Sequence, residues 1–435
     1  MSELIIRPST PLRGRVALPG DKSISHRALL LGALAKGTSR VSGFLPAADC
    51  QATLRCLRAL GVEIEELDSS TLIIHGRGLY GLRPPRAPLD CGGSGTTMRL
   101  LSGILAGQPF HSVLTGNAQL RRRPMERIAI PLRRMGATVI DTDGHAPLII
   151  PGGQLRGMDY VLPVASAQVK SAILLAGLYA GGRTTVREPG PARDHTERML
   201  QAMGADLTVD GPVITLRPGR PLRARHVAVP GDISSAAFLI AAAALVPGSE
   251  VALDQVGVNP TRTGALDVLR SMGAEILLAD ATKEGSERDW GNEPMADLTV
   301  RASELQATEI GGTLIPRLID ELPLLALVAT QAQGTTMIRD AAELRVKETD
   351  RLATTEAELR KLGAEIEGLS DGVMVRGPSP LVGTEVDSHG DHRLAMTLAV
   401  AGLLAAGETL VRDADCIADS FPGFAGTLRR LGASV

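Results

Sequence analysis

Several short segments of the sequence combine cations, small polar residues and carboxylates just before an apolar stretch. In residues 20–27 (GDKSISHR), Lys22, Ser23 and Arg27 offer an ammonium, a hydroxyl and a guanidinium beside a predicted helix start. Such groups suit phosphate or carboxylate, because a helix N-terminus has unpaired N–H donors and the positive end of the helix dipole. The simpler interpretation, in which Asp21 or Ser23 only caps the helix, is equally consistent with the sequence.

The glycine-rich run at residues 91–99 (CGGSGTTMR) contains Gly95, where the missing side chain would let a ligand approach the backbone. It lacks the form of a nucleotide-binding P-loop, so a tight structural turn is the simpler interpretation. Residues 121–123 are three arginines, ending at Arg123, and surface charge would ordinarily explain them. Pro124 is suited to the first turn of a helix and would fix the direction of Arg123.

Two more predicted helix starts lie between residues 164 and 197. Ser166, Ala167 and Gln168 precede the apolar run AILLAGLYA, although capping alone could explain Ser166. Arg193 and His195 (RDHTE) open the next predicted helix. A lone histidine is more often a hydrogen-bonded structural residue than a general base, so we favour a structural role for His195.

The second half of the chain contains two acidic candidates for proton transfer. Asp320 (IDELP) leads into an apolar helix and is either an N-cap or a reacting carboxylate. In residues 345–351 (RVKETDR), helical spacing predicts Lys347 and Arg351 on one face, with Glu348 able to serve as acid or base. The simpler alternative is an exposed pair of Glu348 and Arg351, worth only a few tenths of a kcal/mol. Arg393 (DHR) adds a cation at another helix start.

The elements that would position these residues come from a repeated pattern. A helix end, a glycine and an alternating strand start recur six times, as in LRALGVEI and LRRMGATVI, mostly about 70 residues apart. This spacing fits a supersecondary unit of several elements. Each glycine is predicted to end its helix in the left-handed conformation. The six glycines are Gly61, Gly136, Gly204, Gly273, Gly363 and Gly432.

A coarser similarity relates residues 18–35 to residues 229–246, about half the chain apart. It predicts two domains of three units each. One is residues 20–229, and the other is residues 1–19 with 230–435. Two equal domains imply an interdomain cleft, at which helix N-termini could bind anions. The polar stretch at 281–297 is predicted to be a surface loop or hairpin insertion.

Composition argues against several classes of protein. The 435 residues allow two large domains with sizeable cores. A net charge of −2, with five Phe, three Tyr and one Trp, lacks the basic stripe and stacking platform of a nucleic-acid binder. Four scattered cysteines without a C-x-x-C pair argue against disulfides, structural zinc and iron–sulfur clusters. No signal peptide or membrane span is recognised, so a cytoplasmic protein is expected.

Taken together, the motifs resemble those of EPSP synthases over essentially the whole chain. The matching segments run from PGDKSISHR through GGSGTTMR, RRRP, SAQ, RDHTE, IDELP, RVKETDR and DHR to SFP. RVKETDR followed by DHR, with the amino-terminal DKS-x-S-x-R, is specific to the family. The resemblance implies an α/β fold of two similar domains, each of three βαβαββ repeats, in a six-fold inside-out α/β barrel arrangement. It also implies an active site in the interdomain cleft and a shikimate 3-phosphate side in residues 20–229.

The resemblance implies transfer of the enolpyruvyl group of phosphoenolpyruvate to the 5-hydroxyl of shikimate 3-phosphate by addition and elimination. Asp320 would assist the hydroxyl, and Glu348, helped by Lys22, would manage the proton at C3. Residues implied to bind phosphoenolpyruvate are Lys22, Gly95, Arg123, Gln168, Arg351 and Arg393. Residues implied to bind shikimate 3-phosphate are Lys22, Ser23, Arg27, Ser166, Ala167, Gln168, Arg193, Asp320 and Lys347. No metal or organic cofactor is expected, the chain is expected to be a monomer, and glyphosate is a candidate inhibitor.

Three residues depart from the pattern of some family members. Ala167 and Ala192 stand where serines occur, and Arg193 would compensate for these losses. Asp419 stands where some members have a lysine that contacts phosphoenolpyruvate. Alternatives are UDP-N-acetylglucosamine enolpyruvyl transferase, an RNA-phosphate cyclase-like protein and a noncatalytic duplicated scaffold. The first usually has a cysteine near residues 121–123, and the second needs an ATP site; the sequence presents neither.

Overall fold

The chain divides into two compact units of similar construction. The structure, a computed structural model, describes residues 3–280 and 293–435. What we call the N-terminal unit comprises residues 20–229 with Glu293, and the C-terminal unit comprises residues 3–19, 230–280 and 294–435. The predicted insertion at 281–297 lies largely outside the described residues, and its last three residues begin a strand.

Three sheets of the N-terminal unit have four strands each. If the strands of one repeat are numbered along the chain, their order in the sheet is 1-2-4-3, with strands 1 and 2 parallel and the other pairs antiparallel. In sheet order, the strands are Leu89–Asp90, Ser112–Thr115, His145–Ile150 and Ile140–Thr142; Asp159–Val161, Thr184–Arg187, Val213–Arg217 and Asp206–Asp210; and His226–Ala228, Lys36–Ser42, Leu72–Arg77 and Glu63–Glu66. Leu155–Arg156 and Ala180–Gly181 form a further parallel pair. The helices are Lys22–Leu34, Ala48–Ala59, Gly95–Ala106, Ala118–Arg121, Glu126–Arg134, Ala167–Gly177 and His195–Ala202.

The C-terminal unit repeats this arrangement in two four-stranded sheets and one three-stranded sheet. In sheet order, the strands are Arg13–Ala17, Glu250–Gly257, Met295–Arg301 and Glu275–Asp280; Glu309–Ile310, Gly334–Ile338, Val373–Gly377 and Glu365–Gly368; and Glu385–Asp387, Thr409–Arg412 and Leu4–Ile6. The α-helices are Ile233–Leu245, Gly264–Ser271, Ile315–Leu318, Leu322–Ala329, Arg351–Lys361, His392–Gly402 and Phe424–Arg430. Three 3₁₀ helices span Gly312–Leu314, Ala342–Val346 and Ala414–Asp419.

The βαβαββ pattern therefore recurs six times, and three copies take a strand from a distant part of the chain. Arg13–Ala17 pairs in parallel with Glu250–Gly257 and supplies the first strand of the fourth repeat. His226–Ala228 pairs in parallel with Lys36–Ser42 and supplies the first strand of the first repeat. Leu4–Ile6 pairs antiparallel with Thr409–Arg412 and takes the place of the final hairpin in the sixth repeat. Each unit is thus closed by a chain segment far from the repeat that it completes.

Burial explains why the helices lie inside and the sheets outside. In each unit, the first long helix of every repeat is apolar on nearly all sides, as in Ile233–Leu245, and such a helix is stable only when it is surrounded by protein. The strands alternate buried and exposed residues, as in Val213–Arg217, so each sheet presents one face to solvent. Each unit has its own hydrophobic core.

All six pattern glycines adopt the predicted left-handed conformation, with φ from 85° at Gly61 to 104° at Gly273. In the first copy, the N–H of Gly61 donates to the carbonyl of Arg58 and that of Val62 to the carbonyl of Leu57, both at 3.0 Å. The same two bonds recur at the other five glycines. This geometry is the Schellman motif, which satisfies carbonyls that the helix end would otherwise leave unpaired.

In every repeat, a side chain also forms a hydrogen bond across this turn. Three residues before each glycine, an arginine or glutamine donates to a main-chain oxygen six residues further on, as Arg58 does to Ile64 at 2.7 Å. The corresponding donors are Arg133, Gln201, Arg270, Arg360 and Arg429. The glycine and this donor together fix the direction in which the strand leaves the helix.

We expect Gly204→Ala to lower the free energy of unfolding by about 1 kcal/mol through backbone strain alone. Gly204 has φ 90°, and no heavy atom lies within 4 Å of an added Cβ. Gly190 is the matched control, because its added Cβ also meets open space while its φ is not in the left-handed region. Urea unfolding should show Gly190→Ala within about 0.5 kcal/mol of the native chain. Equal losses in both variants would refute the assignment of strain to φ.

Two local predictions from the sequence are wrong. Lys347 does not share a helix face with Arg351, because Asp350 accepts the N–H of Ala353 at 3.1 Å and the helix starts at Arg351. Pro124 does not occupy the first turn of a helix, since the next helix begins at Glu126.

Candidate active site

The N-terminal unit contains three helices that begin at predicted functional residues. Asp21, Ser94 and Ser166 cap the helices Lys22–Leu34, Gly95–Ala106 and Ala167–Gly177, respectively. Each side chain accepts the main-chain N–H of the third helical residue. Side-chain bonds described below join their first turns. The structure therefore gathers Lys22, Ser23, Gly95, Ala167 and Gln168 at neighbouring helix starts.

A neutral hydrogen-bond network holds two of these helices against Ala48–Ala59. Nδ1 of His26 lies 2.7 Å from the hydroxyl of Thr53, which lies 2.7 Å from the hydroxyl of Thr97. Burial lowers the pKa of His26 to about 3, so the imidazole is uncharged near neutral pH. The ammonium of Lys22 lies 3.0 Å from a carboxylate oxygen of Asp49 in the same helix as Thr53.

Arg27 is buried and its guanidinium is held on three sides. Nε donates to the Thr196 hydroxyl at 2.7 Å, and one terminal nitrogen donates to the Ser171 hydroxyl at 2.8 Å. The other terminal nitrogen donates to the carbonyl of Ser23 at 2.9 Å. These contacts place Ser23 and Arg27, both predicted to bind shikimate 3-phosphate, side by side.

Arg99 is a site residue that the sequence analysis did not select. Its guanidinium donates to the amide oxygen of Gln168 at 2.5 Å and to the carbonyl of Pro124 at 3.2 Å. A Cβ on Gly95 would lie 3.2 Å from one terminal nitrogen of Arg99 and of Arg123. Gly95, Arg123 and Gln168 are therefore neighbours, and the absence of a side chain at Gly95 leaves room beside two cations.

The segment that carries Arg193 precedes the helix His195–Ala202. Ala192, which stands where some relatives have serine, is buried, and its carbonyl accepts a hydrogen bond from Lys170 at 3.3 Å. His195 is buried with Nδ1 2.6 Å from a carboxylate oxygen of Glu293. The structural interpretation of His195 is thus consistent with its surroundings.

In the C-terminal unit, two predicted catalytic residues, Asp320 and Glu348, lie together with predicted substrate-binding residues. We call this group the Arg351 cluster; it comprises Asp320, Lys347, Glu348, Arg351, Asp391 and Arg393. Arg351 is 2% exposed and contacts three carboxylates, with nitrogen–oxygen distances of 2.7 Å to Asp391, 2.8 Å to Glu348 and 3.3 Å to Asp320. Asp320 also lies 3.6 Å from Lys347 and 3.8 Å from Arg393. Five residues chosen from the sequence are brought together, and Asp391 is an addition.

The pKa values of this cluster are set by opposition between burial and charge. Burial would lower the pKa of Arg351, but Asp391, Glu348 and Asp320 outweigh it, so the pKa lies above its ordinary value. Burial would raise the pKa of Asp391, but Arg351 outweighs it, so the pKa lies below its ordinary value. The buried pair is thus fully ionised near neutral pH. Glu348 and Arg351 do not form the exposed pair of the simpler interpretation.

Arg393 also contacts a chain of buried polar residues that is linked by hydrogen bonds and ion pairs. Arg393 lies 3.5 Å from Glu321, which accepts a short hydrogen bond from the hydroxyl of Ser234. Arg262 donates to the same hydroxyl at 2.7 Å and lies 3.3 Å from Asp232. Asp419, the unusual residue near the C-terminus, ends a 3₁₀ helix and is partly buried.

Two groups of potential metal ligands occur in the described ranges 3–280 and 293–435. One is Glu63, Glu65 and His75 on an outer sheet, and the other is Asp194, His195 and Glu293. Neither group includes a residue selected for substrate binding or proton transfer. The expectation of a metal-independent reaction stays a prediction.

Both units thus present cations and polar groups at helix starts, and the C-terminal unit adds the carboxylates of Asp320 and Glu348 beside Arg351. EPSP synthase structures from Acinetobacter baumannii match this fold, one with a TM-score of 0.88 and 44% identity over 99% of this chain and 98% of that chain. Another has a TM-score of 0.87 and 43% identity over 100% of both chains. The fold and the site define a six-repeat α/β transferase. Among residues 3–280 and 293–435, no helix has the length and apolar character needed to cross a membrane.

Sequence comparison narrows the class further. A family model of EPSP synthase (3-phosphoshikimate 1-carboxyvinyltransferase) matches residues 6–428. A 3-phosphoshikimate 1-carboxyvinyltransferase of Desulforudis audaxviator is 55% identical over 430 residues, covering 98% of this chain and 99% of the relative. One of Geobacillus kaustophilus is 54% identical over 424 residues, covering 97% and 98%. The chain belongs to the EPSP synthase family.

Proposed function

We propose that the chain transfers the enolpyruvyl group of phosphoenolpyruvate to the 5-hydroxyl of shikimate 3-phosphate, in the shikimate pathway. The products are 5-enolpyruvylshikimate 3-phosphate and phosphate. Family membership over residues 6–428 supports the reaction. The single structural observation that carries it is the Arg351 cluster, in which two carboxylates, Asp320 and Glu348, share a guanidinium.

Asp320 and Glu348 are the proposed proton-transfer groups. In the addition step, the 5-hydroxyl oxygen attacks C2 of phosphoenolpyruvate, Asp320 takes the hydroxyl proton, and C3 gains a proton through Glu348. The tetrahedral intermediate then loses phosphate and one proton from the new methyl group, which restores the double bond. Asp320 and Glu348 are only partly buried, with 13% and 23% of their side chains exposed, so a substrate can reach them.

The cations of the C-terminal unit differ in how firmly they are held. Arg351 has three carboxylate contacts of 3.3 Å or less, whereas the carboxylate contacts of Arg393 are 3.5 and 3.8 Å. We assign both to the carboxylate of phosphoenolpyruvate. Arg351 would serve as a fixed donor, and Arg393 would be free to turn its guanidinium toward the ligand. A preorganised donor lowers the cost of ordering on binding.

The N-terminal unit provides the remaining anion-binding groups of the proposal. Lys22 and Arg123, beside Gly95, are assigned to the phosphate of phosphoenolpyruvate, and Gln168 to both substrates. Ser23 and Arg27 are assigned to the shikimate carboxylate. Ser166, Ala167 and Arg193, together with Lys347 of the C-terminal unit, are assigned to the 3-phosphate. Neighbouring helix N-termini support these assignments, because their N–H groups favour anions.

The test is phosphate release by the purified chain under three conditions. Phosphoenolpyruvate is supplied with shikimate 3-phosphate, with UDP-N-acetylglucosamine or without an acceptor. We expect release only with shikimate 3-phosphate. Release only with the sugar nucleotide would support enolpyruvyl transfer but refute shikimate 3-phosphate as the acceptor. No release in any arm would favour a noncatalytic scaffold and direct attention to Ala167, Ala192 and Asp419.

Three further properties stay predictions from the sequence. They are a cytoplasmic location, a monomeric state and inhibition by glyphosate. The space beside Gly95 supports a small anionic inhibitor at this position, because a methyl group there would approach the guanidinium of Arg123 to 3.2 Å.

A further inference from the structure

Lys170 is a fully buried cation that is not among the residues assigned above to either substrate. Its ammonium lies 2.8 Å from a carboxylate oxygen of Glu188 and 2.5 Å from one of Glu197, and it donates to the carbonyl of Ala192 at 3.3 Å. Its side chain is 0% exposed. Burying a charge costs free energy unless the charge is paired, so Lys170 would not stabilise a purely hydrophobic core. We call Lys170, Glu188 and Glu197 the Lys170 triad.

The triad joins three segments of the N-terminal unit. Lys170 is in the helix Ala167–Gly177, Glu197 is in the helix His195–Ala202, and Glu188 follows the strand Thr184–Arg187. The backbone from residue 188 to 194 forms neither helix nor strand. This irregular segment is tied at Glu188 and Ala192 to the same ammonium, and the residue after Ala192 is Arg193.

The two helices that Lys170 and Glu197 connect also hold Arg27. Ser171 follows Lys170, Thr196 precedes Glu197, and both hydroxyls accept hydrogen bonds from the Arg27 guanidinium. The ion pair therefore helps to fix the separation of the two side chains that orient Arg27, together with a direct contact of 2.7 Å between the Ser171 and Thr196 hydroxyls.

The charge balance of the triad favours a rigid arrangement. Burial raises the pKa of Glu188, with Lys170 opposing the shift and Glu197 and Asp194 adding to it. Protonation of one glutamate leaves a single ammonium against a single carboxylate. A buried group of this kind is stable only when every member keeps its partner. Loss of the ammonium would leave two glutamates facing each other.

We propose that Lys170 is a positioning residue for the recognition of shikimate 3-phosphate, acting through Arg193 and Arg27. This inference rests on the proposed function for the identity of the ligand. Lys170 touches neither substrate; it fixes the carbonyl beside Arg193 and the helix pair that holds Arg27. Both arginines are assigned to shikimate 3-phosphate, so loss of Lys170 selectively weakens the binding of that substrate.

The experiment compares Lys170→Met with Lys36→Met, an exposed lysine of the same unit. KM for each substrate is measured in the full chain with the other substrate saturating. We expect Lys170→Met to raise KM for shikimate 3-phosphate by about tenfold or more and to change KM for phosphoenolpyruvate by less than about twofold. Lys36→Met should change neither. An equal rise in both KM values, or a fall in kcat alone, would overturn the proposal.

Two milder variants keep the test decisive if Lys170→Met does not fold. Glu197→Gln weakens the tie between the helices and should raise KM for shikimate 3-phosphate by about threefold. Glu188→Gln resembles the protonated glutamate and should leave both KM values within about twofold. Unchanged kinetics in Glu197→Gln would then count against Lys170 as a positioning residue.

Hydrogen–deuterium exchange distinguishes failure of this inference from failure of the proposed function. Exchange at residues 188–194 should be at least about tenfold faster in Lys170→Met than in the native chain or Lys36→Met, with residues 95–106 unchanged. If the native chain releases no phosphate with shikimate 3-phosphate, the function is wrong, and exchange still reports whether Lys170 orders the segment. Equal exchange in all three proteins would overturn the positioning role.

Discussion

Glu348→Gln is expected to lower kcat by about a thousandfold while KM for phosphoenolpyruvate changes little. The amide keeps the size of the side chain and can still contact Arg351, whose guanidinium lies 2.8 Å from the native carboxylate. It cannot deliver a proton to C3 or remove one from the methyl group. Both steps of the reaction need that exchange, so the loss falls on kcat.

The matched control is Glu356→Gln. Its carboxylate is 22% exposed, against 23% for Glu348, and it pairs with Arg360 in the same helix at 3.0 Å. We expect kcat of this variant to stay within about twofold of the native value, because Glu356 is outside the Arg351 cluster. Reactions run in D₂O add a direct measurement, since deuterium enters C3 of the product only through the proton-transfer step. A Glu348→Gln protein with more than about a tenth of the native kcat would exclude this role.

The repeated architecture could be predicted from the sequence because its signal is local. Each glycine of the pattern ends its helix within a few residues of the bonds that require a positive φ. The completion of the first, fourth and sixth repeats is different. Their added strands, His226–Ala228, Arg13–Ala17 and Leu4–Ile6, pair with strands far away in sequence, and no local pattern specifies such a pairing.

The residues of the candidate site also differ in whether their signal in the sequence is local. Residues at helix starts, such as Lys22 and Arg393, were predicted because a helix start and a cation can be read from adjacent positions. Arg99, Glu321 and Asp391 were missed because their partners come from other helices. Lys170 had a usable signal, since it is the one charged residue in the sequence of the helix Ala167–Gly177.

The misplaced prediction at Lys347 shows how capping overrides periodicity. Residues 345–351 have helical spacing, but Asp350 accepts an N–H from the following turn and fixes the helix start at Arg351. Lys347 consequently lies in extended backbone and approaches Asp320 from outside the helix. The contact between Lys347 and Asp320 nevertheless places Lys347 in the Arg351 cluster.

Asp391→Asn is expected to cost about 3 kcal/mol of the free energy of unfolding, because it leaves the Arg351 guanidinium with an uncompensated part of its buried charge. Asp391 is 0% exposed and contacts Nε and a terminal nitrogen of Arg351 at 2.7 and 3.1 Å. Asparagine can still cap the helix His392–Gly402 by accepting the N–H of Arg393. The loss therefore reports the charge and not the cap. Urea unfolding followed by circular dichroism measures it.

Asp141→Asn is the matched control for this substitution. Asp141 also accepts from an arginine, Arg133 at 2.6 Å, and from a main-chain N–H, that of Gly144 at 2.9 Å. Arg133 is 39% exposed, so solvent can replace the lost charge and the expected cost is about 1 kcal/mol or less. Similar losses in the two variants would show that burial of Arg351 does not make Asp391 exceptional.

The difference in unfolding free energy between the native chain and Asp391→Asn should also depend on pH, which gives a second and independent test. Arg351 holds the pKa of Asp391 below its ordinary value in the folded protein, so the unfolded chain takes up this proton first as the pH falls. The stability that Asp391 contributes is therefore complete above its unfolded pKa of about 4 and is lost as the pH falls through its folded pKa. The gap between the native chain and Asp391→Asn should be constant from about pH 5 to pH 8 and should narrow below about pH 4. A gap that instead widens in acid would mean that Asp391 is protonated in the folded protein and that the ion pair with Arg351 is not what stabilises this helix start.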